Sequence, residues 1–321
     1  MKRVCKRLIQ IDALTICFKA TDCYTFDQLD LMAMGDTYKS GSVTLTRVDG
    51  RYYTHIYAIT IERDDEALFL GNLKFGLNHG QDEGNTHQDG SLKIWITLNN
   101  EELYPPAIDA LERVADSLCL TLHNITTLDL CLDTPYNISK AIYRYIRKKE
   151  ITTILNGKRV RDRDEDRPEL SRILSGSLNK DKYMTLCIKQ RNAMRDKAKG
   201  ITITTYDKAT EIRNASGKDY ILNFYGNPSK LYRTEVHLNN EEIKNYLDRY
   251  KIELKYQLFQ NHSLLEEMFY HFLNSVIRFQ EGRKPIKWED ILGKPKCTDR
   301  YITTTPAKTH QNTQNRQSIQ V

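Results

Sequence analysis

Three short segments of the chain alternate apolar residues with side chains that could take part in chemistry. Successive side chains of a β-strand point to opposite faces, so each segment would present its polar groups on one face of a sheet. These groups are Asp129, Cys131 and Asp133 in residues 126–133, Thr202, Thr204, Tyr206 and Lys208 in residues 201–208, and Arg233, Glu235 and His237 in residues 231–238. If the three strands lie in one sheet, they bring together a phenol, an ammonium group, carboxylates and an imidazole.

This set of side chains suits the cleavage of a phosphodiester. Asp129, Glu235 and His237 offer oxygen and nitrogen ligands for a divalent cation, Mg²⁺ or Mn²⁺, which polarises a phosphodiester oxygen. Tyr206 would then attack the phosphorus. A phenol with a pKa of about 10 is only about a thousandth ionised near neutrality, so it needs a cation beside it. Lys208 is predicted to lie next to Tyr206 and to lower its pKa.

Each of these residues also has an ordinary structural role open to it. A lone Asp on a strand is commonly a hydrogen-bonding residue, and a lone Tyr commonly packs. Arg233 and Glu235 could form a surface ion pair worth under about 1 kcal/mol, and His237 could be a structural histidine. The chemical interpretation therefore depends on the three strands lying together.

The elements that would position these strands are mostly strands before residue 240. Alternation and β-branched runs predict strands over residues 8–18, 42–48, 52–62, 68–75, 92–98, 126–132, 184–190, 201–208 and 231–238. Helices are predicted over residues 25–34, over about 15 residues that begin at Pro105-Pro106, and over the basic segment 139–147. Between residues 240 and 279 the apolar residues recur at steps of three and four, which predicts helices.

These elements predict an α+β fold with three regions. Residues 1–240 would form an antiparallel sheet with helices on one face, and residues 241–293 a smaller helical C-terminal appendage. Residues 294–321 are rich in Thr, Gln, Asn and Lys and contain few large apolar residues, so they are predicted to be a disordered tail.

Composition excludes several classes of protein. The chain has 321 residues, of which 40% are hydrophobic and 28% charged, and no apolar run approaches the roughly 18 residues of a membrane-spanning helix. The basic N-terminus lacks the apolar stretch of a secretory signal, which indicates a cytoplasmic protein. Seven scattered cysteines without a CxxC pair argue against a disulfide framework and a zinc site.

Positive charge is concentrated in one part of the sequence. Lys and Arg exceed Asp and Glu by 48 to 42, but residues 140–199 alone contain 18 basic and 8 acidic residues. That segment has a net charge of +10, so the remainder of the chain sums to −4. A basic segment of this kind is typical of a surface that binds nucleic-acid phosphates, although a solvated helix and loop is the simpler alternative.

The order of the three polar strands resembles the replication-initiation proteins of rolling-circle plasmids and filamentous phages. In that family an Asp-bearing strand follows a long helix, a Tyr-x-Lys strand carries the nucleophile, and an Arg-x-Glu strand completes the site. Leu128-Asp129, Tyr206-Asp-Lys208 with Glu211 beyond it, and Arg233-Thr-Glu235 match this pattern in type, order and approximate spacing. The resemblance covers about residues 8–240, which would then be a nicking domain.

The resemblance implies a specific activity. The initiator captures a hairpin origin, nicks one strand with its tyrosine, stays attached to the 5′ phosphate and frees a 3′ hydroxyl that primes synthesis. Tyr206 would be the nucleophile, Asp129 and Glu235 would hold the metal, and Lys208 and Arg233 would steady the phosphate. The sequence departs from many tyrosine nickases, which carry a His-hydrophobic-His pair as metal ligands, so His237 is the candidate third ligand here.

Two other functions were weighed against a metal-dependent nickase. A non-catalytic DNA-binding protein for copy control or packaging would use only the basic segment and the C-terminal helices. A tyrosine recombinase would need an Arg, His, Arg, Tyr order in a largely helical domain, which the strand-rich pattern disfavours. The expected partner is DNA, both single-stranded and duplex, with no membrane, and the C-terminal region could grip the origin duplex, a host helicase or a second protomer.

Overall fold

A computed structural model describes residues 8–20, 23–63, 66–77, 86–160, 174–176, 184–189 and 200–292. Within them, the strands are β1 Gln10–Ala20, β2 Thr37–Ser40, β3 Val43–Val48, β4 Tyr53–Arg63, β5 Glu66–Leu77, β6 Lys93–Leu98, β7 Leu120–Thr134, β8 Ile151–Leu155, β9 Lys158–Arg159, β10 Leu174–Gly176, β11 Leu186–Lys189, β12 Thr202–Asp207, β13 Tyr232–Asn239, β14 Ile277–Glu281 and β15 Lys284–Ile286. Each of the nine predicted strands has a counterpart among them.

Eight α-helices accompany the strands in the described residues. They are α1 Cys23–Asp30, α2 Ile108–Ser117, α3 Ile138–Arg147, α4 Lys208–Glu211, α5 Asp219–Phe224, α6 Asn240–Tyr250, α7 His262–Val276 and α8 Trp288–Leu292. A short π-helical turn, Ile212–Ser216, continues α4, and a 3-10 helix, Tyr256–Gln260, precedes α7. The helix that follows Pro105-Pro106 is shorter than predicted, because it ends at Ser117 and the chain turns at Cys119, whose φ is 51°.

Eleven strands form one sheet in the order β10-β11-β12-β13-β7-β1-β6-β5-β4-β3-β2. Their ladders are antiparallel throughout. The predicted mixture of helices with a large antiparallel sheet is therefore confirmed. Adjacent antiparallel strands lie about 4.8 Å apart, so β12, β13, β7 and β1 bring widely separated parts of the sequence side by side.

One face of the central strands is filled by apolar side chains. Leu128, Leu130 and Leu132 of β7 are essentially inaccessible and belong to one large core. Helices α2, α6 and α7 pack against β7, and α3 packs against β12 and β13. The opposite side of β7 is left to Asp129, Cys131 and Asp133, as the alternation predicts.

The C-terminal residues differ from the helical appendage that was expected. Residues 277–281 form β14 rather than a helix, and β14 pairs with β8, with Ile277 opposite Leu155. Together with β9 and β15 these strands make a second, four-stranded sheet. Side chains from α7 and β14 also belong to the large core that contains β7. Residues 241–292 therefore share their packing with the earlier part of the chain.

Several predictions concern residues that the structure leaves undescribed. The tail 294–321 and most of the basic segment between residues 161 and 199 lie outside the described residues. Of the helices that are described, none is long and apolar enough to cross a membrane.

Candidate active site

The three polar strands are direct neighbours in the large sheet, which confirms the arrangement that the chemical interpretation required. Strand β13 lies between β12 and β7, with Tyr206 opposite Arg233 and Arg233 opposite Asp133. Two residues along β13, Glu235 stands between Thr204 and Cys131, and a further two residues along, His237 faces Asp129. Directly opposed residues of an antiparallel pair share a face. The predicted strand residues Asp129, Tyr206, Arg233, Glu235 and His237 therefore lie on one face of the sheet.

Tyr206 and Glu235 form the contact with the clearest chemical meaning. The phenol of Tyr206 donates a hydrogen bond to Oε1 of Glu235 across 2.5 Å. The ring of Tyr206 is only partly buried, and the Glu235 side chain is 20% exposed. A half-buried tyrosine whose phenol donates to a carboxylate has the geometry of a nucleophile beside its base.

The pKa of Tyr206 is raised rather than lowered, which corrects the prediction made for Lys208. Burial of the phenol is the main cause, and the positive charge of Arg233 opposes it only in part, while the charge of Glu235 adds to it. The phenol is thus neutral in this structure. Its proton must leave during any attack on phosphorus, which makes an adjacent acceptor necessary.

Glu235 is suited to accept that proton. Burial raises the pKa of Glu235 to about 7, although Arg233 pulls in the opposite direction. A base with a pKa near 7 is partly ionised at neutral pH, and it binds a proton more strongly than an ordinary carboxylate does. The sequence assigned Glu235 to a metal, whereas its contacts favour a role in proton transfer.

Lys208 lies near Tyr206 but leaves the strand. Asp207 ends β12 and accepts a hydrogen bond from the backbone N–H of Thr210 at 3.0 Å, so it caps α4 and Lys208 becomes the first helical residue. The Lys208 ammonium group is buried, lies 3.0 Å from a carboxylate oxygen of Glu211, and sits 5.5 Å from the centre of the Tyr206 ring. Its nearest carboxylate is that of Glu211, which balances its charge.

Arg233 is fully buried, which conflicts with the expectation that it contacts a phosphate. Its Nε and Nη2 donate to the two oxygens of Asp133 at 2.8 and 2.6 Å, and its Nη1 donates to Asp12 at 2.5 Å. The same Nη1 lies 3.8 Å from Oε1 of Glu235. The guanidinium group therefore ties three carboxylates together beneath the surface on which Tyr206 lies.

Asp12 is the main site residue that sequence reasoning missed. It lies in β1 at an irregularity between Ile11 and Ala13, and a β-bulge of this kind redirects a side chain. Besides Arg233, it accepts a hydrogen bond from the phenol of Tyr104 at 2.6 Å. Burial opposes its ionisation, yet Arg233 and Tyr104 hold its pKa well below the usual value. The available signal was a single carboxylate within the β-branched run 8–18.

Asp129 and His237 form a separate pair on the same face. Nδ1 of His237 lies 2.5 Å from Oδ1 of Asp129, and their side chains are 45% and 23% exposed. The hydrogen bond with Asp129 is the main cause that raises the pKa of His237, although burial opposes it. Asp129 and His237 are partnered with each other and Glu235 with Tyr206, and among the described residues no three His, Cys, Asp or Glu side chains are grouped to hold a metal ion.

A small apolar cluster covers the Arg233 end of the site. It consists of Ala209, Ile212, Ile221, Leu222 and Leu231, with the rings of Tyr104, Tyr220 and Tyr225 against it. Arg233 lies 5.9 Å from the centre of the Tyr104 ring. The side chains of Arg233 and Asp133 are inaccessible at this end, whereas the Glu235 and His237 end of the face stays accessible.

In comparisons with known proteins, no family model and no curated protein matches the chain.

Proposed function

We propose that this protein is a rolling-circle DNA replication initiator that nicks one DNA strand through a tyrosine nucleophile. The observation that carries the proposal is the hydrogen bond from the Tyr206 phenol to Glu235 on an accessible part of the sheet. The order of the Asp129, Tyr206-x-Lys208 and Arg233-x-Glu235 strands, which resembles that family, supports it. The product would be a strand joined through its 5′ phosphate to Tyr206 and a free 3′ hydroxyl.

The proposed step uses Tyr206 and Glu235 directly. The phenol oxygen of Tyr206 forms a bond to phosphorus while Glu235 takes the phenol proton, and the bond from phosphorus to the 3′ oxygen breaks. The 3′ oxygen leaves with the bonding electrons and becomes the primer hydroxyl when it takes up a proton. Because the neutral phenol is a poor nucleophile, proton transfer to Glu235 is the contribution that this chain supplies.

Arg233 and Lys208 act in this proposal as positioning residues. Arg233 holds Asp12 and Asp133 and keeps its Nη1 near Glu235. Lys208, paired with Glu211, packs against the ring of Tyr206 and fixes its orientation. Both are enclosed, so we assign neither of them a contact with the scissile phosphate.

A divalent cation remains part of the proposal. A carboxylate and an imidazole are donor types that Mg²⁺ and Mn²⁺ accept, and Asp129 and His237, which lie opposite each other on one face, would hold the cation while Glu235 takes the phenol proton. A bound cation would polarise the phosphodiester. His237 would have to give up the proton it shares with Asp129 before its Nδ1 could serve as a ligand.

Replacing Asp129 with alanine tests this cation. We expect strand cleavage to fall by a factor on the order of 10 to 100, because loss of a ligand or of its supporting partner commonly weakens metal affinity by that much. Excess Mn²⁺ should restore part of the activity. Cleavage rates measured over a titration of Mn²⁺ would show this, and an Asp129→Ala protein with the unaltered rate and the unaltered Mn²⁺ dependence would contradict it.

The pH dependence of cleavage tests the role of Glu235. Only the ionised carboxylate accepts the proton, and the pKa of Glu235 is about 7. Single-turnover cleavage should therefore rise about tenfold per pH unit below that value and level off above it. Glu235→Gln should lower the rate by about 10² to 10⁴ and remove this dependence. A Glu235→Gln protein that keeps the same pH profile would assign the proton acceptor to another group.

The proposal is separated from a non-catalytic DNA-binding function by the product formed. Purified protein, Mg²⁺ and supercoiled DNA that carries the origin should give open circles and a protein-linked strand. A protein that only binds would give shifted, salt-sensitive complexes and intact DNA. An origin hairpin, a host helicase and a second protomer remain predicted partners.

A further inference from the structure

Two distant parts of the chain pack into a single unit that is separate from the proposed active site. Strand β14 pairs with β8, and the ring of Tyr145 in α3 lies 5.4 Å from the ring of Phe279 in β14. Phe279 in turn packs against Trp288 at 5.7 Å, and Trp288 donates a hydrogen bond to the carbonyl of Ile277 at 3.2 Å. We call residues 138–160 and 277–292 the basic module.

The basic module concentrates positive charge in a short part of the chain. It contains eleven Lys and Arg residues and four Asp and Glu residues, so its net charge is +7, against +6 for the whole chain. All eleven basic residues are exposed. None of them forms a salt bridge with a residue that the structure describes. Their charged groups therefore face solvent.

One part of this charge lies along a helix face. Lys140, Arg144 and Arg147 recur at steps of four and three in α3, so they share one side of the helix, while Ile138 and Ile142 are buried on another. Asn137 caps the helix by accepting a hydrogen bond from the backbone N–H of Lys140 at 2.8 Å. The cap and the buried isoleucines hold α3 in an orientation in which its three basic side chains face solvent.

A second part lies on the outer face of the four-stranded sheet. Ile154 of β8 stands directly between Arg159 of β9 and Arg278 of β14, so the two arginines occupy one row across the sheet. The opposite face holds the buried Ile277 and Phe279. The described strand residues that share this face with the arginines are Thr152, Gln280, Pro285 and the buried Ile154, and none of them carries a charge.

The aromatic residues of the module indicate which nucleic acid fits. Tyr145, Phe279 and Trp288 are turned toward the packing between α3 and the sheet. Tyr143, which is exposed, accepts a hydrogen bond from Arg147 at 2.9 Å, and the guanidinium lies over its ring. Single-stranded nucleic acids are commonly held by aromatic side chains on which bases stack. In the module the exposed ring of Tyr143 is paired with a guanidinium group and the other three rings pack inward, so a surface on which cations dominate suits the backbone of a duplex.

We propose that the basic module binds the phosphate backbone of duplex DNA, apart from the strand that Tyr206 cleaves. This inference rests on the proposed function for its choice of DNA as the polyanion. Each neutralised phosphate releases counterions and adds about 0.9 to the slope of log affinity against log salt concentration. The module would thus anchor the protein on double-stranded DNA beside the site of nicking.

The test compares two pairs of arginine substitutions in the full chain. Arg159→Gln with Arg278→Gln removes two charges from the module, and Arg113→Gln with Arg249→Gln removes two exposed charges from helices outside it. Binding to a 30-base-pair duplex of random sequence is measured over a range of salt concentrations, and urea unfolding checks that both proteins are folded. The module pair should reduce the salt slope by about 2 and weaken duplex binding about tenfold at low salt, while the control pair changes neither.

Three results would overturn the inference. The first is a salt slope that is the same in the two double variants, and the second is a loss of duplex affinity that is the same in both. The third is an unaltered protein that binds a single strand and has no measurable affinity for the duplex. Cleavage of a single-stranded oligonucleotide, measured on the same proteins, keeps the two proposals apart. If the protein cleaves DNA but the Arg159 and Arg278 substitutions leave duplex binding unchanged, only the proposal of a duplex-binding surface is wrong. If these substitutions weaken duplex binding but no protein cleaves DNA, only the proposal of a nickase is wrong.

Discussion

Substitution of Tyr206 by phenylalanine is expected to abolish strand cleavage. The change removes only the phenol oxygen that forms the bond to phosphorus, so the rate should fall by a factor on the order of 10³ or more, and no protein-linked strand should form. DNA binding should stay nearly intact, because the ring still packs against Lys208. Denaturing gel electrophoresis of end-labelled DNA measures the nick and the covalent product together.

Tyr232→Phe supplies the matched control for this experiment. Tyr232 lies on β13, next to Arg233 in sequence and opposite Asp207 across the ladder, and its side chain therefore alternates away from the Tyr206 face. Removing its hydroxyl should leave the cleavage rate within about twofold of the unaltered protein, as for a residue outside the reacting groups. Cleavage at the normal rate by Tyr206→Phe would assign the attack to another tyrosine or to water.

Substitution of Arg233 by methionine is expected to destabilise the whole protein. The side chains of Arg233 and Asp133 are completely inaccessible and that of Asp12 is 14% exposed, so the substitution leaves one buried and one largely buried carboxylate without their cation. Removing one partner of a buried ion pair costs about 3 to 5 kcal/mol. The free energy of unfolding, measured with urea, should fall by that amount, and cleavage should be lost with it.

Arg249→Met is the control for the Arg233 experiment. Arg249 is exposed on α6, and surface substitutions of this kind usually change stability by less than about 0.5 kcal/mol. If Arg233→Met were as stable as Arg249→Met, the network of Arg233 with Asp12 and Asp133 would contribute nothing to the fold. The assignment of Arg233 as a buried positioning residue would then be wrong.

The alternation of apolar and polar residues predicted much of the sheet. Leu128, Leu130 and Leu132 fill one side of β7, and the polar side of β7, β12 and β13 follows from the same period of two. Residue type also indicated that Tyr206 and Glu235 could belong to one site, with Glu235 as a metal ligand. From the sequence alone, the adjacency of their strands was a hypothesis. A pattern of alternating residues predicts which side chains share a face of a strand, but it does not predict the order of strands in a sheet.

Contacts between distant residues account for what the sequence did not predict. Asp12 reaches Arg233 across 221 positions because a bulge in β1 redirects it, and no local pattern encodes such a contact. Lys208 leaves the strand because Asp207 caps a helix. Residues 277–281 continue a helical period, yet they form β14 because β8 offers them a partner strand. In each case tertiary packing or hydrogen bonding decided against the local pattern.

The most direct test of the central claim is to identify the residue that becomes linked to DNA. The protein is incubated with Mg²⁺ or Mn²⁺ and a pool of single-stranded oligonucleotides of random sequence, and the covalent complexes are isolated, digested and analysed by mass spectrometry. The account predicts one peptide, spanning Tyr206, that carries a nucleotide through its 5′ phosphate. A nucleotide attached to a different side chain, or cleaved DNA with no attached peptide, would contradict it.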